Sequence, residues 1–459
     1  NASIARKIIA RKIYKSLKKK ASRDHYPAIY AVVDNWVSYG VRRNGDQAMI
    51  AEAKSIAHYF LHPCSKNLVR AFFLQERLKG LAKGSDFKPK SVHVIGAGTM
   101  GGDIAAWCAL QGMRVTLQDR EPKYIAPAIK RAYNLFKEKL KVPREIQAVM
   151  DRLIPDQDGL GISGADVIIE AIYENLEAKQ KLFKEVEAKA KPDAILATNT
   201  SSIPLDEINQ VMTNPERLVG IHFFNPVAKM KLVEVVQGNK TTSQVVKNTL
   251  SFVRKIDRLP VPVKSSPGFL VNRVLMPYLM ESMVLLEDGV PGQVIDRAAV
   301  EFGMPMGPIE LSDTVGLDVC LSVAENFAKH YGLQVPERLR QMVKDKQLGR
   351  KTGKGFYVYK NGKAIKPEIK LDHETPDVAD RLILRMLNES VACLREGVVA
   401  DADLLDAGMI YGTGFAPFRG GPMHYVDQHS RAAVYEKLKQ LQQKYGDRFQ
   451  PDEGWNDNV

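Results

Sequence analysis

A glycine-rich turn between a short apolar run and a helical one constrains this chain more than any other feature. Val92–Ile95 reads as a buried strand, Gly96-Ala-Gly98-Thr-Met-Gly101 follows it, and a helix opens at Asp103–Leu110. In such a unit the first glycine permits the tight turn and the second lets the backbone approach a pyrophosphate. The third lets helix and strand pack closely. The free N–H groups of the helix N-terminus then face the phosphates. Asp119 closes the next β-branched run, Arg114–Gln118, where a carboxylate accepts hydrogen bonds from ribose hydroxyls. A carboxylate there repels a 2′-phosphate, which points to NAD; Arg120 beside it pulls weakly the other way. Asp103 suits a helix N-terminus but repels the ligand if it points inward.

The turn opens a longer alternation. Asp166–Ile169, Ala194–Thr198 and Leu218–Phe223 are further short apolar runs, separated by helical stretches such as Glu177–Lys189. That order predicts an α/β doubly wound, Rossmann-like sheet over residues 91–266. The flanks are helical. Residues 1–90 begin with a basic amphipathic helix (Ile4, Ile8, Ile9, Ile13, Tyr14 and Leu17 among lysines and arginines) and end in the linker Lys79–Lys90. We read the basic helix as packed with a solvated charged face; membrane contact is the alternative. Beyond Pro267 a faint repeat appears: Glu281–Val290 resembles Glu389–Val398, and Asp296 and Asp313 are echoed by Asp406 and Asp427, with loop growth between them. A duplicated helical domain, 267–365 and 366–459, is the simplest account.

With 459 residues, 45% of them apolar and 26% charged, the chain is a globular protein of about two to four domains. No run is long enough to span a bilayer, and Cys64, Cys108, Cys320 and Cys393 lie too far apart for a metal spacing. The net charge of +13 favours an anionic partner. No zinc-finger, RNP or helix-turn-helix signature accompanies it, so nucleic acid is not expected.

Candidate chemistry centres on His222-Phe-Phe-Asn-Pro226 and on Glu234 within Leu232-Val-Glu-Val-Val236. Oxidising an alcohol needs a base for the hydroxyl proton, and histidine is the natural one near neutral pH. A carboxylate beside it fixes the tautomer and stabilises the cation. Both residues sit in apolar runs that read as buried strands. Thr198–Ser202, Asn225 and Asn272 supply polar groups at strand and helix ends.

These motifs together resemble the L-3-hydroxyacyl-CoA dehydrogenase part of multifunctional fatty-acid β-oxidation enzymes, of the bacterial α-subunit type. The likeness runs from about Ser91 to Asp427. It includes Gly96–Gly101, Ala171–Asn175, Asn199–Ser202, His222–Pro226, Met230–Val236, Pro267–Arg273 and Lys351–Phe356. It implies NAD as cofactor, with His222 as base and Glu234 as its partner. Met100, Asp119, Glu174, Lys179, Ser201, Asn225 and Lys351 fall on cofactor-site positions. Ser201, Asn272 and Tyr411 fall on substrate positions. It also implies an acyl-CoA substrate, a thiolase subunit as a candidate partner, a cytoplasmic setting, and an N-terminal segment like the tail of a hydratase/isomerase domain whose catalytic glutamates are not in this sequence. Asp103 departs from a glycine common in the family. Two other readings stay open: a Rossmann dehydrogenase of a free hydroxy acid, and a docking part of an oxidation complex.

Overall fold

In the computed structural model, residues 2–18, 20–40, 45–332, 334–366 and 377–456 are described. Lys19, within the basic N-terminal run, and residues 367–376, which follow the expected boundary between helical copies, lie outside them.

Eight strands form one sheet: β1 Ser91–Ile95, β2 Arg114–Gln118, β3 Leu153–Pro155, β4 Val167–Glu170, β5 Ile195–Thr198, β6 Leu218–Phe223, β7 Leu232–Gln237 and β8 Leu259–Lys264. Their order is β3-β2-β1-β4-β5-β6-β7-β8. The first six run parallel because each is joined to the next by a crossover over a sheet face. From β1 the chain steps outward to β2 and β3 and then returns to lay β4 on the other side of β1. That reversal opens a crevice at the carboxyl ends of β1 and β4, where doubly wound sheets bind ligands.

β7 breaks the pattern. Only a short loop separates it from β6, so the two pair antiparallel, placing His222 opposite Glu234. Helix Ser243–Lys255 then carries the chain to β8, parallel to β7. β8 was not evident in the sequence because Leu-Pro-Val-Pro-Val-Lys contains two prolines. It is tolerated as an edge strand. Leu259 N–H donates to Lys231 at 2.8 Å, so the alternate positions Pro260 and Pro262, which lack an N–H, face the open side.

Strand alternation splits the core in two. Val94, Val115, Ile169, Ala197, Val233 and Val235 pack under helices Thr99–Leu110 and Ser243–Lys255. Ile168, Leu196, Leu232 and Val236 point the other way, into a larger core shared with the helical region. Glu234 lies on this second face.

Helices Val271–Glu287 and Val378–Arg395 pack against each other and exchange reciprocal ion pairs. Arg273 meets Glu389 at 2.7 Å and Glu396 at 2.6 Å; Arg381 meets Glu281 and Asp288, both at 2.7 Å. Each residue of one set stands 108 positions from its counterpart in the other. The following helices match as well. The carboxylates of Asp296 and Asp406 accept from Ile309 N at 2.9 Å and Met423 N at 2.7 Å, each at the start of the next short helix. The third pair does not match: Asp313 is buried and accepts from Phe356 N and Tyr357 N, while Asp427 is exposed.

The N-terminal region is helical, as expected, but its apolar stripe is not packed. Ile4, Ile8 and Ile9 of helix Ala2–Lys18 are 57%, 51% and 47% exposed, because helix Pro27–Tyr39 covers only the face with Ala10 and Tyr14. Helix Pro63–Gly80 runs through the first two residues assigned to the linker and docks on the second helical unit through Arg70 and Asp406 at 2.8 Å. No helix among the described residues is long and apolar enough to cross a membrane.

The β6–β7 pairing has a checkable consequence. A Cβ at Gly220 would lie 2.6 Å from the Cβ of Val236. Gly220→Ala is therefore expected to destabilise the protein by about 1–3 kcal/mol through overpacking, measured as a lower urea midpoint with an unchanged slope.

Candidate active site

The glycine turn adopts the geometry its spacing requires. Gly96 has φ 104° and lies so close to the β4–helix connection that a Cβ would sit 2.5 Å from the Ala171 carbonyl. A Cβ at Gly101 would overlap the Gly96 carbonyl at 1.8 Å. At Gly98, by contrast, a Cβ would meet nothing within 4 Å. Gly98 therefore faces open space at the N-terminus of helix Thr99–Leu110, and a pyrophosphate fits that cradle. A cleft of about 760 Å³ opens here, lined by Gly96–Thr99, Asp119, Arg120 and Tyr124. Asp119 stands at its edge, with Oδ2 accepting from Ala97 N at 2.7 Å. Lys123, Arg131 and Lys181 add positive charge to the lining.

Asp103 does not line this cleft. Its carboxylate turns to Arg131, 3.3 Å away, and Arg131 also donates to the Gly98 carbonyl at 2.8 Å. Burial raises the Asp103 carboxyl above its ordinary range, and Arg131 opposes the rise. The repulsion expected of an inward carboxylate is thus avoided by a cation that also braces the turn.

His222 sits one residue from the end of β6, on the ligand edge of the sheet. Its Nδ1 is 2.6 Å from Glu234 Oε2. Both residues are buried, Glu234 completely. The other carboxylate oxygen, Oε1, accepts from Leu270 N at 3.0 Å and Val271 N at 2.9 Å, where helix Val271–Glu287 begins. A buried carboxylate needs such partners, and a helix N-terminus also favours its charge. The rings of Phe224 and Phe269 meet the imidazole edge-on, at 4.6 and 5.6 Å between centroids. His222 Nε2 has no hydrogen-bond partner among the described residues.

A second polar group sits at the ends of β4 and β5. Lys179, itself buried, binds Glu170 at 2.7 Å and Glu174 at 3.2 Å. Glu170 also accepts from Thr198 Oγ1 at 2.6 Å and Ile172 N at 2.8 Å. Glu174 Oε1 gathers the next turn, accepting from Thr200 Oγ1 at 2.5 Å, Ser201 N at 3.0 Å and Ser202 Oγ at 3.2 Å. Burial opposes ionisation of Glu174, but Lys179 and the donors of Thr200 and Ser201 outweigh it and hold the carboxyl below its usual range.

The remaining positions divide. Asn272 is half-buried one residue beyond the Glu234 cap, and Asn225 is exposed on the β6–β7 loop. Met100 is packed against the core beneath the sheet rather than in the cleft. Lys351 does not line the cleft either: its ammonium pairs with Asp318, at 2.5 and 2.6 Å to the two oxygens. Tyr411 is half-buried and donates its hydroxyl to the Ala71 carbonyl at 2.6 Å, tying its helix to the N-terminal region. Other residues also shape the site. Glu170 ends the otherwise apolar strand Val-Ile-Ile-Glu, which was the available signal. Asn199, within the polar Thr198–Ser202 segment, turns its Oδ1 to accept the Phe223 N–H at 2.9 Å and fixes the end of β6. Arg131 offered no signal at all.

A dinucleotide cradle and a buried histidine–carboxylate pair are carried by one doubly wound sheet, an arrangement suited to a dehydrogenase. Residues 91–266 match the family model described as 3-hydroxyacyl-CoA dehydrogenase, NAD binding domain, and residues 268–359 match its C-terminal domain. The chain belongs to the 3-hydroxyacyl-CoA dehydrogenase family, with NAD as its cofactor. Among its relatives, the fatty acid oxidation complex subunit alpha of Vibrio cholerae is 36% identical over 476 aligned positions, covering 99% of this chain and 66% of the relative. This chain thus spans just under two thirds of that protein's length. The crystal structure of 3-hydroxybutyryl-CoA dehydrogenase from Escherichia coli K12 is similar with a TM-score of 0.71 at 28% identity, over 80% of this chain and 98% of that one. The dehydrogenase part of multifunctional enzyme 1 from C. elegans gives 0.60 at 27% identity, over 85% and 98%.

Because the Gly98 position faces open space, Gly98→Ala is expected to leave the melting temperature unchanged while weakening NADH binding about tenfold or more, read by NADH fluorescence titration. Gly101→Ala should instead lower both.

Proposed function

We propose that the chain oxidises (3S)-3-hydroxyacyl-CoA to 3-oxoacyl-CoA, with His222 as general base. The 2.6 Å contact between His222 Nδ1 and Glu234 Oε2, at the ligand edge of the sheet, carries this reading. Two backbone N–H groups hold the other oxygen of Glu234, so Oε2 is left facing His222 as a hydrogen-bond acceptor. It therefore keeps a proton on Nδ1 and leaves the lone pair of Nε2 to accept the substrate hydroxyl proton. The imidazolium that forms is stabilised by the same carboxylate. Phe224 and Phe269 fix the ring and keep water from its edges. NAD, when bound, supplies the hydride acceptor. Ser201, on the turn that Glu174 gathers, and Asn272, beside the Glu234 cap, orient the substrate oxygens. Arg120, Lys123 and Lys181 meet phosphates.

The name of the Vibrio cholerae relative, a subunit of a fatty acid oxidation complex, supports a place in fatty-acid oxidation beside a partner subunit; a thiolase as that partner and a cytoplasmic setting are part of the proposal. The matched residues of the two helical units support a duplicated helical domain over 267–365 and 366–459.

His222→Ala is expected to lower kcat by about 10²–10⁴-fold with little change in NADH affinity, followed by NADH absorbance with a 3-hydroxyacyl-CoA. Wild-type turnover in that variant would sink the mechanism. Equal turnover of the free hydroxy acid and its CoA ester would instead displace the substrate. Glu234→Gln keeps the shape of the pair but loses its charge, and kcat should fall by about 10²-fold or more.

A further inference from the structure

We propose that the second helical unit, residues 378–456, is part of the catalytic apparatus: it positions the Leu270–Val271 turn whose N–H groups hold Glu234. The proposal rests on the reading of His222 and Glu234 given above.

The contact is made by helix Ala402–Thr413, which carries Gly408 and Gly412. Four residues apart, they lie on one face of the helix. A Cβ at Gly408 would sit 2.8 Å from Leu270 Cδ2. A Cβ at Gly412 would sit 2.8 Å from Leu232 Cδ2 and 2.9 Å from Val271 Cγ2. Glycine is unfavourable inside a helix, so this pair marks a close approach in which an added Cβ would press on the Leu270, Leu232 and Val271 side chains. The residues approached are the ones that define the carboxylate. Leu270 and Val271 donate to Glu234 Oε1, and Leu232 precedes Glu234 by two positions on the same face of β7.

A second hold acts two residues further on. Arg273 is 2% exposed, and its guanidinium binds Glu389 at 2.7 Å and Glu396 at 2.6 Å, on or just beyond helix Val378–Arg395. The first turn of helix Val271–Glu287 is therefore clamped between a glycine face and two carboxylates, all from the second unit. The turn needs holding. Phe269, just before it, has φ 54°, a conformation that bulky residues rarely adopt. Displacing the turn lengthens the two hydrogen bonds that Leu270 N–H and Val271 N–H donate to Glu234. A carboxylate with fewer donors holds the proton of its histidine partner more tightly, and the imidazole reorients with it. Two titratable groups face Glu234: His222 on β6, and Cys393, whose thiol is pushed up by burial and feels the Glu234 charge. β8 presents Val261 beside Glu234.

Gly412 and Glu396 are positioning residues on this account, and two substitutions in the full chain test it. Gly412→Ala intrudes on Val271 and Leu232. Glu396→Gln, at a side chain 37% exposed, weakens the hold on Arg273 without adding bulk. We expect kcat to fall about tenfold in Gly412→Ala and about threefold in Glu396→Gln. NADH affinity should stay within about twofold, and the acidic limb of the kcat–pH profile should move to higher pH. If Gly412→Ala does not fold, Glu396→Gln decides alone. A kcat within about twofold of wild type overturns the proposal. So does a loss of activity in which NADH affinity falls in step and the pH profile stays in place, the signature of general unfolding. His222→Ala separates the two levels: if it is inactive while both positioning variants behave as wild type, only the present proposal fails.

Discussion

The carboxylate of Glu234 is the point on which the structure turns. A fully buried charge is costly unless every oxygen finds a partner. Glu234 finds its partners on separate elements: His222 on β6, and two N–H groups at the start of helix Val271–Glu287. One residue thereby joins the sheet to the helical region. Removing any partner would leave buried charge uncompensated, so the site and the joint between the two regions stabilise each other.

The same logic recurs further out. Helices Val271–Glu287 and Val378–Arg395 are held by two arginines and four carboxylates in a reciprocal arrangement, with Arg273, Arg381 and Glu281 almost wholly buried. Replacing one partner alone would strand a charge. The reciprocity explains how a faint repeat persists: what is matched between the two units is a set of paired charges and an aspartate capping the next helix. Asp313 and Asp427, which share no such pairing, have taken different roles.

Much of the site was legible wherever function demands a particular residue at a particular spacing. Gly96 and Gly101 announce the cradle because only glycine permits their contacts, and Gly98 because it leaves open space at the helix N-terminus. Asp119 followed at the expected distance. Residues whose work is to hold others were harder to read. Glu170 and Asn199 act through hydrogen bonds to neighbouring strand ends, and nothing local distinguishes them from cap residues. Lys351, Met100 and Tyr411 came only from resemblance, and each makes its contacts in this structure outside the cofactor cleft. β8 was missed because its prolines argue against a strand, an argument that lapses at an open sheet edge.

The sequence by itself determined the doubly wound architecture and the dinucleotide cradle, which depend on local periodicity and on residues a few positions apart, and the order of motifs from Ser91 to Asp427 carried the resemblance to the family. Tertiary structure decided that β7 reverses against β6, placing His222 opposite Glu234 across a non-local register. It also decided that Asp103 turns to Arg131, and that glycines near residue 410 touch the turn at residue 270. Sequence pattern fixes which face of an element is apolar; which element meets it is settled only when distant segments compete for the same core.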